Sequence, residues 1–197
     1  MTILKADILT RVNSRLQTAE TDIDVEIQET LDDLSEHDLL VGSDASQSLV
    51  ADDTTLDYPT GFRAMIALTL TITASGSEQF TLQKLKGGHR EYRDLRHNDN
   101  SNGIPRQYSD FNEKFYLWRP ANAAMTALIE YYKDHPVDVA NIEFGEMFRN
   151  VIYAGVTYRV ALEKGRTRMI DIWRPIYLNA LQKRIEADYD QPRIVKG

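Results

Sequence analysis

Ile66-Ala67-Leu68-Thr69-Leu70-Thr71-Ile72-Thr73 decides the fold class. Ile66, Leu68, Leu70 and Ile72 recur at every second position, with Ala67, Thr69, Thr71 and Thr73 between them. A period of two belongs to a strand, so one face is expected to be buried and the threonine face to be outward. Toward both chain ends the period changes to that of a helix. Upstream, Leu4, Ile8, Val12 and Leu16 recur every four residues and predict a helix over 3–17. Thr21 or Asp22 caps a second helix, with acids crowding its first turn. In that helix Ile23, Ile27, Leu31 and Leu34 point inward, while Asp24, Glu26, Glu29, Asp32, Asp33 and Glu36 stay in water.

Between these helices and the alternating strand, Gly42 and Asp52-Asp53 divide the chain into short strands at 47–51 and 54–58. They read as a hairpin that ends at Tyr58-Pro59-Thr60-Gly61. Beyond the alternating strand, Phe80 and Leu82 open another, closed by Gly87-Gly88. Further strands fit 106–110, 114–119 and 125–133, the first two joined around Phe111-Asn112-Glu113. From Glu143 the period returns to 3.6: Phe144, Met147, Val151, Ala154, Tyr158 and Ala161 form a stripe ended by Gly165. The last helix covers 167–188, and Pro175 inside it is expected to kink it, because its amide donor is missing. Residues 191–197 have no periodicity and read as an extended tail.

The class is therefore α+β: a helical bundle formed by N- and C-terminal helices, with a central antiparallel β-rich insert. The expected divisions are an N-terminal helical hairpin at 1–41, the insert at 42–140, a C-terminal helical pair at 141–190 and the tail at 191–197. With 197 residues, 42% hydrophobic and 27% charged, the chain can bury one core and its elaboration. No apolar run approaches the roughly 20 residues that cross a bilayer. The first residues follow helical spacing and do not read as a signal peptide. Cysteine is absent, so disulfides and thiolate metal sites are excluded.

Charge is sorted along the chain. From Leu16 to Phe62 there are thirteen Asp or Glu and no Lys or Arg, whereas from Arg149 onward ten Lys or Arg face five acids. Copies of such a chain attract front to back, and with a net charge of −7 the front is a poor surface for gripping nucleic acid. The candidate acidic face is Asp24, Glu29, Asp32 and Asp33; the candidate basic face is Arg166, Arg168, Lys183 and Arg184. One basic cluster interrupts the middle: Lys84, Lys86, Arg90, Arg93 and Arg96, with Tyr92 among them and Glu91 and Asp94 diluting it. It reads as a salt-bridged surface helix or a contact with an acidic neighbour. The alternative is a nucleic-acid-binding module using 84–97.

Spacing offers no catalytic set. His37, His89, His97 and His135 are scattered with no paired-ligand motif, and read as surface residues. Asn98, Asn100, Asn102 and Gly103 imitate a calcium loop, but the twelfth position is Ser109 and supplies no bidentate carboxylate. Gly87-Gly88 lacks the Lys and hydroxyl of a phosphate-binding loop, and no serine sits in a nucleophile elbow. The reading is a non-enzyme with no catalytic residue, no metal site and no cofactor.

Gly103-Ile104-Pro105-Arg106-Gln107-Tyr108, then Phe115-Tyr116-Leu117-Trp118-Arg119-Pro120, then Ala124 through Tyr131-Tyr132-Lys133 and Pro136, resemble the head-to-tail adaptor, or connector, proteins of tailed bacteriophages. The opening hairpin with Leu31-Asp32-Asp33-Leu34-Ser35, the Tyr58-Pro59 turn and the two closing helices follow the same layout. Arg119-Pro120-Ala121-Asn122 departs from the Pro-x-Pro-Asp-like turn of that pattern. The resemblance implies a structural virion protein of the neck, assembled in the host cytoplasm, with no membrane partner. It implies a homo-oligomeric ring of about twelve copies that docks on the portal protein, extends the DNA channel and meets a tail or stopper protein. Genomic DNA would pass without sequence-specific binding. By position, Arg193, Ile194 and Val195 would reach the portal.

Overall fold

The computed structural model describes residues 3–73 and 78–189. They form five α-helices and two sheets, an α+β protein. The chain divides into two compact units, one joining the residues up to Leu40 to those from Asp134 onward, the other spanning Val41–Lys133.

In the helical unit, α1 (Lys5–Leu16) buries Ile8, Val12 and Leu16 along the expected stripe. It stops at Gln17, whose left-handed backbone lets its amide donate to the carbonyl of Asn13. The Asn13 side chain then organises the turn: Oδ1 accepts from Thr18 Oγ1 at 2.8 Å and from the Glu20 amide at 2.9 Å. α2 (Asp24–Glu36) follows, buried through Ile27, Leu31 and Leu34. Neither Thr21 nor Asp22 is its N-cap; Ile23 holds that position, and Asp22 accepts from the Asp24 amide at 3.1 Å.

α4 (Arg149–Glu163) is buried on nearly all sides, from Val151 to Val156 without interruption, because α1, α2 and α5 all pack on it. Its start differs from the expected one. Gly145 is extended and a 3-10 turn occupies Glu146–Phe148, so Phe144 is buried outside any helix and Met147 is exposed. Gly165, at φ +62°, ends the helix: its amide donates to Leu162 and that of Arg166 to Ala161, the two bonds of a Schellman motif. α5 (Thr167–Tyr189) runs on through Pro175. Among the described residues no helix is long and apolar enough to cross a membrane.

His135 is not on the surface. It is 3% exposed and links α2 to the segment before α4. Its amide donates to Ser35 Oγ, its Nδ1–H donates to the Pro136 carbonyl at 2.7 Å, and Nε2 accepts from the Glu143 amide at 3.1 Å. The ring lies parallel to that of Phe144.

The β unit holds two sheets around one core rather than a single sheet. In the first, β1 (Val41–Asp44) and β2 (Ser48–Leu49) both pair with β9 (Met125–Lys133), which also pairs with β4 (Phe62–Ile72), and β5 (Gln79–Thr81) closes the edge. The second runs β3 (Thr55–Asp57), β8 (Lys114–Trp118), β7 (Gln107–Phe111), β6 (Gln83–Lys84). The strands near 47–51 and 54–58 therefore make no hairpin; they belong to different sheets, each paired to a distant strand. Nor is the insert wholly antiparallel. β6 pairs with β7 in parallel, and α3 (Gly88–Asn98) makes the crossover such pairing requires. Leu68 and Leu70 enter the core as alternation requires, with Phe115, Leu117, Met125, Ala127 and Ile129 around them. Ile66 does not. The β4–β9 register shifts between Met65 and Ala67, so Ile66 is the extra residue of a bulge and turns outward.

Candidate functional site

Three charged surfaces could carry function, two in the helical unit and one in the β unit. On α2 the expected acidic face is partly committed within the chain. Asp24 pairs with Lys5. Asp33 accepts from Arg159 at 3.0 Å and from the Tyr177 hydroxyl, while Arg159 also reaches Thr30 Oγ1 at 3.2 Å and Glu29 at 3.7 Å. Burial, then the bond to Asp33, raises the pKa of the Tyr177 hydroxyl far above its ordinary range. Glu29 and Asp32 present their side chains to solvent. Glu26, expected in water, is 8% exposed. Its carboxyl is pushed up to about 7, chiefly by burial and then by the hydrogen bond to Glu163. Facing it, Glu163 is held below the usual carboxylate range by that bond and by Lys164, which also bridges to Glu20 at 3.3 Å.

The expected basic face of the last helix divides similarly. Arg166 donates to the Leu16 carbonyl, and the Arg184 guanidinium lies over the Phe148 ring, 5.9 Å from its centroid. Arg168 and Lys183 are exposed, as is Arg174, and among the described residues none of the three forms an ion pair. Arg193, Ile194 and Val195 lie outside the described residues.

In the β unit, α3 realises the helical spacing of Arg90, Arg93 and His97. These residues line an open groove of about 770 Å³ with His89, Asp94 and Phe111. His89 stacks on Phe111 at 4.5 Å between centroids and meets Tyr116 edge-on at 4.6 Å. Phe111, at the tip of the β7–β8 hairpin, is 54% exposed. Lys84 is taken up by Asp110 at 2.6 Å. The 98–103 segment is tied by its own side chains, with Asp99 accepting from the Ser101 amide and hydroxyl and from Arg119. Among the described residues no group of three or more His, Asp or Glu side chains is placed to hold a metal ion.

Arg159 and Tyr177 were not singled out by spacing. Arg159 carries a signal nonetheless, as the lone cation between Val151 and Ala161 in an otherwise apolar helix, where a buried partner is required. Tyr177 carries none.

Among the described residues these surfaces offer charge and open grooves. The chain belongs to the SU10 adaptor protein family, whose model matches residues 1–196. This agrees with the resemblance to phage head-to-tail adaptors and makes the chain a phage structural adaptor, a virion component that contacts other head or tail proteins. No curated protein matches it.

Proposed function

We propose that the protein is the neck adaptor of a tailed phage, forming a ring on the portal protein, prolonging the DNA channel and presenting a surface to a tail or stopper protein. It acts through contacts and not through catalysis. The family match over 1–196 carries this reading. α1, α2, α4 and α5 serve as a bundle of staves, with α5 alone about 34 Å long at 1.5 Å per residue. The ring contains about twelve copies, a closed cyclic assembly in which each protomer offers two different faces. Acidic side chains around the channel repel the genome and let it slide. The closing helices and the segment with Arg193, Ile194 and Val195 dock on the portal, and the β unit meets neighbouring copies or the tail. Assembly takes place in the host cytoplasm.

Electron microscopy of the protein mixed with the portal of its virus tests the reading. Rings capping the portal are expected; portal particles left bare at saturating protein would refute it. Removing residues 191–197 is expected to abolish docking while leaving the thermal melt unchanged, and undiminished docking of the shortened chain would remove the tail's role.

A second reading is favoured by the α3 groove, where Arg90, Arg93 and His97 adjoin the exposed ring of Phe111. Cations that contact phosphates beside a stacking ring suit a single nucleic-acid strand. Retention of an oligonucleotide at low salt, weakening steeply as salt rises, is its expected sign. No retention at low salt ends it.

A further inference from the structure

The helical unit exposes two apolar strips of opposite electrostatic sign. The first lies on the outer side of α2. Val25 is 67% exposed and Val137 92%, and with Val139 and Gln28 they line an open groove of about 410 Å³ between α2 and the segment preceding α4. Asp24 and Glu29 rim it, and the exposed side of α2 continues through Asp32. Among the described residues no cation lines this groove, and Lys5 meets it only through its ion pair with Asp24.

The second strip lies on α5. Positions 168, 172, 176, 179 and 183 fall within about 80° of one another at 100° per residue. They are Arg168, Ile172, Ile176, Asn179 and Lys183, all exposed, with Ile172 and Ile176 each 44% open to solvent. An apolar pair is thus flanked by a cation at each end. Both cations lack an ion-pair partner among the described residues. The strips are open in the same chain, so neither covers the other.

We infer that the α5 strip of one copy seats on the α2 groove of the next. Ile172 and Ile176 would then lie against Val25 and Val137, with Arg168 and Lys183 at the α2 carboxylates. This rests on the adaptor reading and sharpens it. Of the residues expected at such a contact, Glu29, Asp32, Arg168 and Lys183 form it, with Asp24 at the groove rim already paired to Lys5, while Asp33, Arg166 and Arg184 serve the interior of their own protomer. Because the two surfaces differ, the contact is heterologous and propagates from copy to copy, closing into a ring when the rotation permits. The apolar strip supplies burial and the flanking charges supply register and direction.

Absence of cysteine makes the test clean. Val25→Cys and Ile176→Cys together in one chain, oxidised with and without the virus's portal, are expected to give a disulfide ladder reaching trimers and beyond. Either cysteine alone is expected to give no ladder. Adding Glu29→Lys with Asp32→Lys should weaken the ladder at least about tenfold, and so should adding Arg168→Glu with Lys183→Glu. Mixing the two charge-reversed proteins one to one should restore it, since each then meets an opposite partner on both sides. No ladder in either condition overturns the pairing, as does a ladder indifferent to charge reversal. Dimers from Val25→Cys alone would point to a symmetric contact and overturn it too. Rings seen on the portal without a ladder would leave the adaptor reading standing and remove only this contact, whereas a ladder with bare portals would do the reverse.

Discussion

Arg159 on α4 holds Asp33 on α2 with Nη2 3.0 Å from Oδ2, and the Tyr177 hydroxyl of α5 donates to the same oxygen. Three helices therefore meet on one carboxylate. Arg159 is 19% exposed, so the pair is largely withdrawn from solvent. Removing one partner from such a pair leaves the other charge uncompensated, which costs more than the pair itself contributes. Arg159→Met is expected to lower unfolding free energy by about 3 kcal/mol, read by urea denaturation. Combining it with Asp33→Asn should recover part of the loss. A loss from Arg159→Met below about 1 kcal/mol, the range of a surface pair, would contradict this account.

Gly155 sets the distance between the same helices. A Cβ there would stand 2.6 Å from Thr30 Cγ2 and 2.8 Å from Tyr177 Cε2. Gly155→Ala should therefore destabilise by roughly 1–3 kcal/mol despite the better helix propensity of alanine. Thr30→Ser, which removes the clashing methyl and keeps the hydroxyl that Arg159 reaches, should recover part of the loss in a double variant. Equal thermal midpoints for Gly155→Ala and the parent would show that the helices separate freely there.

Glu26 and Glu163 make stability depend on pH in two separate windows. The folded chain holds the Glu26 proton up to about 7, against an ordinary value of 4.5. Stability from this group is thus complete below the ordinary carboxylate range and is lost as pH rises toward and through 7. Glu163, shifted downward, acts the other way, and its contribution is lost only as pH falls below its ordinary range. Glu26→Gln keeps a donor toward Glu163 at every pH. It should flatten the melting temperature between about pH 5 and 8, and above pH 7 it should stabilise by about 1 kcal/mol, discounted for water at the cleft. Parallel pH profiles for variant and parent would sink this assignment.

The sequence pattern located what one segment decides for itself. Leu68 and Leu70 alternate into the core, Ile8, Val12 and Leu16 face inward, and β9 ends where its apolar face ends. It failed where a distant segment decides. Ile66 fits the alternation, but the bulge opposite Tyr131 and Glu130 turns it out, and only β9 reveals that bulge. The strands on either side of Asp52 look like a hairpin because their true partners, β9 and β8, lie tens of residues away. Glu26 looks wet on a helical wheel until α4 is laid beside it. For the candidate surfaces, charge sorting did not tell which charges are spent indoors. Asp33 and Arg166 have the same local pattern as Asp32 and Arg168, and only packing separates them.

The β7–β8 hairpin offers a stabilising change. Asn112 and Glu113 occupy its two-residue loop with φ of 50° and 61°. Both positions of such a turn need the left-handed region, which asparagine tolerates and glutamate disfavours. The Glu113 carbonyl still has work to do, accepting from the Tyr58 amide at 3.0 Å, but that is a backbone bond which any residue keeps. Glu113→Gly is therefore expected to raise stability by about 0.5–1 kcal/mol, relief of the strained conformation outweighing the extra freedom of glycine in the unfolded chain. Asn112→Val, placing a branched side chain in the left-handed region, should lower it by more than that. Differential scanning calorimetry of the two variants decides the matter: a melting temperature that falls with Glu113→Gly, or stays level with Asn112→Val, would mean the loop is not held in this turn.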